Sequence, residues 1–264
     1  MQYTTLGNSG LRVSRIILGC MSHGSDKWAD WVLNEDKSLP LLKAAYDKGI
    51  ICWDTADAYS NGESERIVAK TIERFNIPRE KLVIMTKVYF GIGDEMSEYV
   101  LGQSPQELEK HGSRYINQCG LSRKHIFDAV EGSLARLNTS YIDVLQIHRY
   151  DPTVSNEEVM GALHDVVKSG MVRYIGASSM FTYQFQALQC TAKLNGWTQF
   201  ISMQNFYNLL YREEEREMMK YLEETGFELV VLSSLYFAAL HVFLGVLLLS
   251  DCFLDPGMIL HPNA

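Results

Sequence analysis

The chain has 264 residues, of which 47% are hydrophobic and 21% are charged. This length allows a large domain with a sizeable core, and the ordinary composition excludes extended disorder or low complexity as its main character. The formal net charge of −8, with no cluster of basic residues, argues against nucleic acid or an anionic membrane surface as a partner.

The cysteines give no sign of a metal site or a disulfide framework. There are 5 of them, an odd number, and no two are separated by the two-residue spacing typical of zinc sites. The beginning of the chain also lacks the pattern of a secretory signal peptide. We therefore expect a cytoplasmic protein that binds no metal, with its thiols reduced.

Short apolar runs alternate with longer amphipathic runs from residue 16 to about residue 233. Each apolar run is rich in β-branched or aromatic residues, which is typical of strands buried on both faces. The predicted strands cover residues 16–18, 50–53, 82–85, 142–147, 174–177, 200–203 and 229–232. The predicted helices cover 38–48, 62–75, a helix capped by Ser122, a helix opened by Ser155 or Asn156, 181–194 and 212–224.

Strands separated by helices imply parallel pairing with right-handed crossovers. A doubly wound sheet and a (β/α)8 barrel both fit this order. A doubly wound dinucleotide-binding fold would carry Gly-x-Gly-x-x-Gly after its first strand, and the residues after Gly19 do not match that pattern. The pattern therefore favours the α/β (β/α)8 barrel, known as a TIM barrel.

One long loop, residues 90–120, separates the third predicted strand from its helix. Such loops usually have about 2–6 residues. Two interpretations are open: the loop covers the site as a lid, or it is an insertion that the fold tolerates.

Polar side chains follow consecutive predicted strands at the point where each strand ends. They are Asp54 and Tyr59 after the second strand, Lys87 after the third, His148 after the fourth, Ser178 and Ser179 after the fifth, and Gln204 and Asn205 after the sixth. In a barrel these positions meet at the C-terminal mouth, where barrel active sites lie. Each residue alone has an ordinary structural explanation, but the succession of strand ends favours a catalytic site.

The residue types indicate proton transfer to a carbonyl oxygen. A free tyrosine has a pKa near about 10, which a neighbouring ammonium lowers. An aspartate can fix the position of that lysine, and a histidine can hydrogen-bond the substrate oxygen. Such a set needs a hydride source, because no metal cluster or activated serine is evident.

Five stretches of the sequence resemble the aldo-keto reductases. They are residues 53–59 with 62–65, 84–87, 143–148, 175–179 and 204–208, and the similarity extends over about residues 3–235. The chain is most similar to the branch that contains aryl-alcohol dehydrogenases and potassium-channel β subunits. Residues 1–12 resemble the hairpin that closes the bottom of the family's barrel, and residues 7–10 provide its turn.

The resemblance implies a role for each matching residue. Tyr59 is the general acid, Lys87 and Asp54 tune its acidity, and His148 orients the carbonyl. The cofactor-binding positions are Gly19, Met21, Asp54, Ser178, Ser179 and Gln204, with Ser179 standing where the family commonly has asparagine. The implied cofactor is NADP(H), with NAD(H) as the alternative. The implied substrate is a small-molecule aldehyde or ketone, or the corresponding alcohol.

The C-terminal residues depart from the family pattern. No Lys or Arg follows Lys220, although basic residues in this region of the family bind the 2′-phosphate of the cofactor. Residues 229–249 carry no charge, a length that could span a bilayer. We divide the chain into a reductase-like barrel, incomplete at its C-terminal end, at 1–235, and an atypical apolar tail at 236–264.

Three interpretations of this tail are open. The chain is truncated or aberrantly spliced, the tail replaces the last barrel elements, or the tail anchors the protein in a membrane. No basic residue flanks the apolar run, which weakens the anchor interpretation. The expected function is NAD(P)H-dependent reduction of an aldehyde or ketone to an alcohol. The alternative is an impaired reductase that acts as a binding or regulatory protein.

Overall fold

The structure, a computed structural model, describes residues 1–232 and begins with a short antiparallel hairpin. Strands β1 (Tyr3–Thr5) and β2 (Arg12–Ser14) form this hairpin. A parallel sheet follows in the sequential order β3 (Leu18–Gly19), β4 (Cys52–Asp54), β5 (Val83–Val88), β6 (Ile142–Ile147), β7 (Val172–Ser178), β8 (Phe200–Phe206) and β9 (Glu228–Leu232). The hairpin and the parallel order that the sequence predicts are therefore confirmed.

Helices connect the parallel strands. They are α1 (Glu35–Asp47), α2 (Glu63–Arg74), α3 (Pro105–Glu109), α4 (Arg123–Arg136), α5 (Asn156–Lys168), α6 (Thr182–Asn195) and α7 (Met218–Thr225). Two predicted caps are observed, since the Ser122 hydroxyl accepts from His125 N–H and the Ser155 hydroxyl accepts from Glu158 N–H. Each cap satisfies a backbone donor that the first turn of a helix leaves unpaired.

The sheet is curled into a barrel. In a flat sheet, β4 and β8 would lie four strand spacings apart, or about 19 Å. Instead, Gln204 Nε2 on β8 donates a hydrogen bond to Asp54 Oδ2 on β4, at 3.1 Å. The described residues thus form seven strands of the α/β (β/α)8 architecture, an incomplete TIM barrel within residues 1–232.

The N-terminal hairpin closes one end of this barrel. Leu6 and Val13 are buried in a cluster with side chains from four of the parallel strands, namely Cys52, Val83, Met85, Val144 and Val230. Gly7 adopts a φ of 57°, and a Cβ there would lie 2.4 Å from the Ile201 carbonyl oxygen. Only glycine permits this close approach of the turn to β8.

Several bounds differ from the sequence-based prediction, and two of the differences concern about a whole helical turn. The helix predicted at 212–224 is divided into a single turn, Glu213–Glu215, and the later helix α7. Glu214 accepts a hydrogen bond from Asn205 and Glu215 accepts one from Tyr207, and these bonds fix the turn against the end of β8. The first predicted helix begins three residues earlier than expected, at Glu35, with Asn34 as its N-cap residue.

The predicted domain boundary between residues 235 and 236 lies outside the described residues. The same holds for the apolar run beyond residue 232, so all three interpretations of the tail concern residues that the structure does not describe. Within residues 1–232, every helix is too short or too polar to cross a membrane.

Candidate active site

The polar residues that follow the strands meet at one end of the barrel and are almost completely buried. Asp54 ends β4, Lys87 lies near the end of β5, and His148 follows β6 directly. Ser178 ends β7, and Gln204 lies near the end of β8. All of these side chains are less than a tenth exposed, as is Tyr59 in the loop after β4. The structure therefore places the predicted residues together.

An ion pair between Lys87 and Asp54 lies at the centre of the site. Lys87 Nζ is 2.7 Å from Asp54 Oδ2 and also donates to the Thr55 carbonyl oxygen at 2.9 Å. Burial lowers the pKa of Lys87, but the charge of Asp54 and the neighbouring Tyr59 outweigh this, so the pKa lies above its ordinary value. The lysine is therefore a fixed cation at neutral pH.

Tyr59 lies beside this cation, with the centroid of its ring 5.1 Å from Lys87 Nζ. Burial raises the pKa of Tyr59 above its ordinary value of 10, and the charge of Lys87 offsets this only in part. The sequence predicts a lowered pKa from Lys87, so the net direction is the opposite of that expectation. The physical reason is complete burial, which disfavours the phenolate. At neutral pH the phenol keeps the proton that a general acid must donate.

A strained turn holds Tyr59 in place. Ser60 and Asn61 follow it with φ values of 48° and 49°, a region that residues other than glycine rarely adopt. The Ser60 hydroxyl accepts from Ser25 N–H at 3.2 Å. The Asn61 amide accepts from Gly93 N–H at 3.1 Å and donates to the carbonyl oxygens of Glu95 and Glu98. The loop after β3 and the long loop, residues 90–120, therefore both fix the turn.

The long loop, residues 90–120, packs over this turn. Besides the Asn61 contacts, Phe90 lies edge-on to His148 with ring centroids 4.9 Å apart. Tyr99 packs against Trp28 of the loop after β3, with centroids 4.7 Å apart and the rings tilted by 36°. These contacts with the residues around Tyr59 favour the lid interpretation over that of an insertion that the fold merely tolerates.

His148 faces Tyr59, with their ring centroids 5.7 Å apart and the rings nearly perpendicular. Its Nδ1 is buried and has no hydrogen-bond partner within residues 1–232. Burial, followed by the charges of Arg149 and Lys87, lowers the pKa of His148 well below 6.5. The imidazole is therefore neutral at neutral pH, and it can donate one N–H to an oxygen atom beside Tyr59.

The residues at the ends of β7 and β8 fit a carboxamide group. Gln204 Nε2 donates to Asp54, whereas Gln204 Oε1 is buried without a partner among the described residues. Ser178 and Ser179 lie beside each other, with their hydroxyl oxygens 3.2 Å apart. A carboxamide offers both the N–H donor that Gln204 Oε1 lacks and an acceptor for a serine hydroxyl. These side chains can therefore hold the nicotinamide end of a dinucleotide.

The two predicted cofactor positions near the first parallel strand are Gly19, the last residue of β3, and Met21, which follows it. Gly19 on β3 pairs in register with Asp54 on β4. Apart from its two chain neighbours, no atom of residues 1–232 lies within 4 Å of the position that a Gly19 Cβ would take. Met21, two residues further on, is partly buried and packs against the main core. Gly19 thus borders Asp54, while the described contacts of Met21 are with the core.

Sequence reasoning missed Gln146, which donates from Nε2 to Asp54 Oδ1 at 2.8 Å. The signal for it is present in the sequence. An amide side chain stands in a predicted buried strand, two residues before His148. Because side chains alternate along a strand, Gln146 and His148 face the same side.

Asp57 is a buried carboxyl group that the proposed chemistry does not use. It is 1% exposed, and neither of its carboxylate oxygens has a hydrogen-bond partner among the described residues. Burial, followed by the charge of Glu65, raises the pKa of Asp57 from 3.8 to about 8. Arg136, the cation that lowers the pKa of Asp57 most, is bound to Glu65 with Nε 2.6 Å from Oε2.

We expect Asp57→Asn to remove a pH dependence of stability. The folded chain keeps a proton that the unfolded chain releases above pH 3.8, so the stability of the wild type falls as pH rises toward about 8. At about 1.4 kcal/mol for each pKa unit, the loss of Asp57's contribution between pH 5 and pH 8 is about 4 kcal/mol. Urea unfolding at these two pH values measures it. Asp47→Asn, at an exposed site, serves as the control, and an unchanged slope in Asp57→Asn would contradict the prediction.

Comparison with known proteins shows similarity to a single family. The model of the Aldo/keto reductase family matches residues 15–241. An aldo-keto reductase of Metarhizium robertsii is 59% identical over 232 residues, covering 87% of this chain and 63% of its own length. Versiconal hemiacetal acetate reductase of Aspergillus parasiticus is 54% identical over 233 residues, covering 87% of this chain and 66% of its own length.

A third relative belongs to the branch that the sequence resembles. A putative aryl-alcohol dehydrogenase of Schizosaccharomyces pombe is 56% identical over 241 residues, covering 88% of this chain and 67% of its own length. The chain thus spans about two thirds of the length of these relatives.

Proposed function

The chain belongs to the aldo/keto reductase family, and we propose that it reduces an aldehyde or ketone to an alcohol with a nicotinamide dinucleotide. The observation that carries this proposal is one buried site in which Tyr59, the Lys87–Asp54 ion pair and His148 lie together. The names of its relatives, which include reductases and aryl-alcohol dehydrogenases, support the same class of reaction.

In this proposal, Tyr59 donates its phenolic proton to the carbonyl oxygen of the substrate. The raised pKa keeps the phenol protonated before the reaction. The Lys87 ammonium, 5.1 Å from the ring centroid, stabilises the phenolate that forms when the proton leaves. Asp54 holds the ammonium in place through the 2.7 Å ion pair. The cation therefore acts most strongly on the charged product of the proton transfer, which is where it accelerates the reaction.

His148 orients the carbonyl group in this scheme. Its neutral ring can donate one N–H to the carbonyl oxygen. The Tyr59 ring lies nearly perpendicular to the His148 ring, and its hydroxyl donates to the same oxygen. Two donors on one oxygen polarise the carbonyl bond and fix its direction. The lowered pKa of His148 keeps the imidazole neutral, so that the proton comes from Tyr59.

We propose that Ser178, Ser179 and Gln204 hold the carboxamide of the nicotinamide, with Gly19 and Met21 beside it. The buried Gln204 Oε1 without a partner in residues 1–232 supports this assignment. The dinucleotide supplies the hydride when it is bound. We propose NADP(H) as the preferred form and a cytoplasmic location, in keeping with the free thiols of Cys20, Cys52, Cys119 and Cys190.

Dinucleotide binding and turnover test this proposal together. We expect NADPH to quench tryptophan fluorescence with a Kd in the micromolar range, and NADH to bind more weakly. With NADPH present, 4-nitrobenzaldehyde should be reduced, as followed by the loss of absorbance of the reduced cofactor. A folded chain that binds neither dinucleotide and reduces no aldehyde would contradict the proposal, and would favour the alternative of a binding or regulatory protein.

A further inference from the structure

Gln146 lies at the same level of the barrel interior as the catalytic lysine. In the sheet register it pairs with Lys87 on β5 and with Gly176 on β7, and its side chain is completely buried. A Cβ at Gly176 would lie 3.2 Å from Gln146 Cγ and 2.8 Å from Ser202 Oγ. The glycine on the neighbouring strand therefore leaves the space that the Gln146 side chain occupies.

The two oxygens of Asp54 have different partners. Oδ2 accepts from Lys87 Nζ at 2.7 Å and from Gln204 Nε2 at 3.1 Å. Oδ1 accepts from Gln146 Nε2 at 2.8 Å. Because Gln146 and Lys87 bind different oxygens of the carboxylate, rotation about its Cβ–Cγ bond would break the hydrogen bond from Gln146. Charge-assisted hydrogen bonds of this length are among the strong ones in proteins.

We propose that Gln146 is a positioning residue for the catalytic group, which fixes the Asp54 carboxylate and, through it, the Lys87 ammonium beside Tyr59. Three strands contribute to this arrangement, with Asp54 on β4, Lys87 on β5 and Gln146 on β6. The effect of Gln146 on turnover rests on the proposed function. Its effect on the position of Lys87 does not.

The first test observes Lys87 directly, without turnover. In protein labelled with ¹⁵N at the lysine side chains, a buried ammonium bound to Asp54 and Thr55 should give a protected ¹H–¹⁵N signal, which Lys87→Met assigns by removing it. We expect Gln146→Met, which keeps the length of the side chain and removes the donor, to shift this signal or broaden it beyond detection. An unchanged Lys87 signal in folded Gln146→Met would overturn the proposal.

Gln189 provides the matched control. It is also a buried glutamine, and its amide bonds both to Phe200 N–H and to the Phe200 carbonyl oxygen, away from Asp54. Gln189→Met removes two hydrogen bonds from the core, so it should reduce stability while leaving the Lys87 signal in place. An equal change of the Lys87 signal in both variants would overturn the proposal, because it would show a general effect of lost core bonds.

The second test measures kinetics with NADPH and an aldehyde. We expect Gln146→Met to lower kcat about 10-fold, with the KM for the aldehyde and the Kd for NADPH within about twofold of the wild type. An unchanged kcat would overturn the proposal. If the wild type shows no turnover, the proposed function fails, and the Lys87 signal still decides the role of Gln146. Should Gln146→Met not fold, Gln146→Leu also removes the amide donor with an apolar side chain, and it should displace the Lys87 signal in the same way.

Discussion

Tyr59→Phe is expected to lower kcat for aldehyde reduction by about 10²- to 10⁴-fold, the usual contribution of a general acid. The variant removes one hydroxyl group and keeps the ring against which His148 packs, with centroids 5.7 Å apart. Dinucleotide binding should stay within about twofold of the wild type, because the proposed carboxamide contacts lie on β7 and β8. Steady-state kinetics and fluorescence titration measure the two quantities separately.

Tyr141→Phe is the matched control for this experiment. Tyr141 directly precedes β6, so it lies at the opposite end of the strand from His148. Its ring packs against the guanidinium groups of Arg79 and Arg173, at 4.2 Å and 4.5 Å. Loss of this hydroxyl should leave kcat unchanged. If Tyr59→Phe retained the full rate, or if both variants lost activity equally, Tyr59 would not be the proton donor.

The acidity of Tyr59 also predicts how the reaction responds to pH. Burial raises its pKa above 10, so the phenol stays protonated across the neutral range. The rate of aldehyde reduction should therefore not fall between pH 6 and pH 9 through loss of the Tyr59 proton.

The positions of the site residues follow from the sequence because barrel geometry brings strand ends together. Asp54, Lys87 and His148 each stand where an apolar run stops, and parallel strands place such positions at one mouth. Strand β6 has the bounds that the sequence predicts, residues 142–147. Periodicity and strand order were sufficient for this part of the prediction.

Interactions across the barrel do not follow from local patterns. The bond from Gln146 to Asp54 joins residues 92 positions apart, and the bond from Gln204 to Asp54 joins residues 150 positions apart. Both depend on how far the sheet curls, which no local run of residues encodes. The direction of the Tyr59 pKa shift fails for a related reason. The sequence shows the charge of Lys87 nearby, but complete burial, the larger effect, arises only from packing.

Lys87→Met should destabilise the folded chain by about 3–5 kcal/mol at pH 7, because it leaves Asp54 as a buried charge without its cation. The side chains of Lys87 and Asp54 are 1% and 6% exposed, so water cannot replace the lost ammonium. The two amides on Asp54 remain, but neutral donors only partly compensate a buried carboxylate. The same variant should lower kcat strongly, since it removes the cation that contributes most to stabilising the Tyr59 phenolate. Urea unfolding and steady-state kinetics measure the two effects.

An exposed ion pair in the same chain is the control that separates the effect of burial on stability from the effect of charge pairing. Lys43 Nζ is 2.6 Å from Asp47 Oδ2, as close as the buried pair, but the two side chains are 31% and 53% exposed. Lys43→Met should therefore cost less than about 1 kcal/mol, because water solvates Asp47 when its partner is removed.

The double variant Lys87→Met with Asp54→Asn should recover most of the lost stability, since it removes the uncompensated charge, but it should not recover activity. The second substitution then restores stability while activity stays lost. Their separation would show that the ion pair serves the proton transfer, since the fold itself is maintained without either charge. If the double variant were no more stable than Lys87→Met, the cost would come from lost packing around the lysine stem.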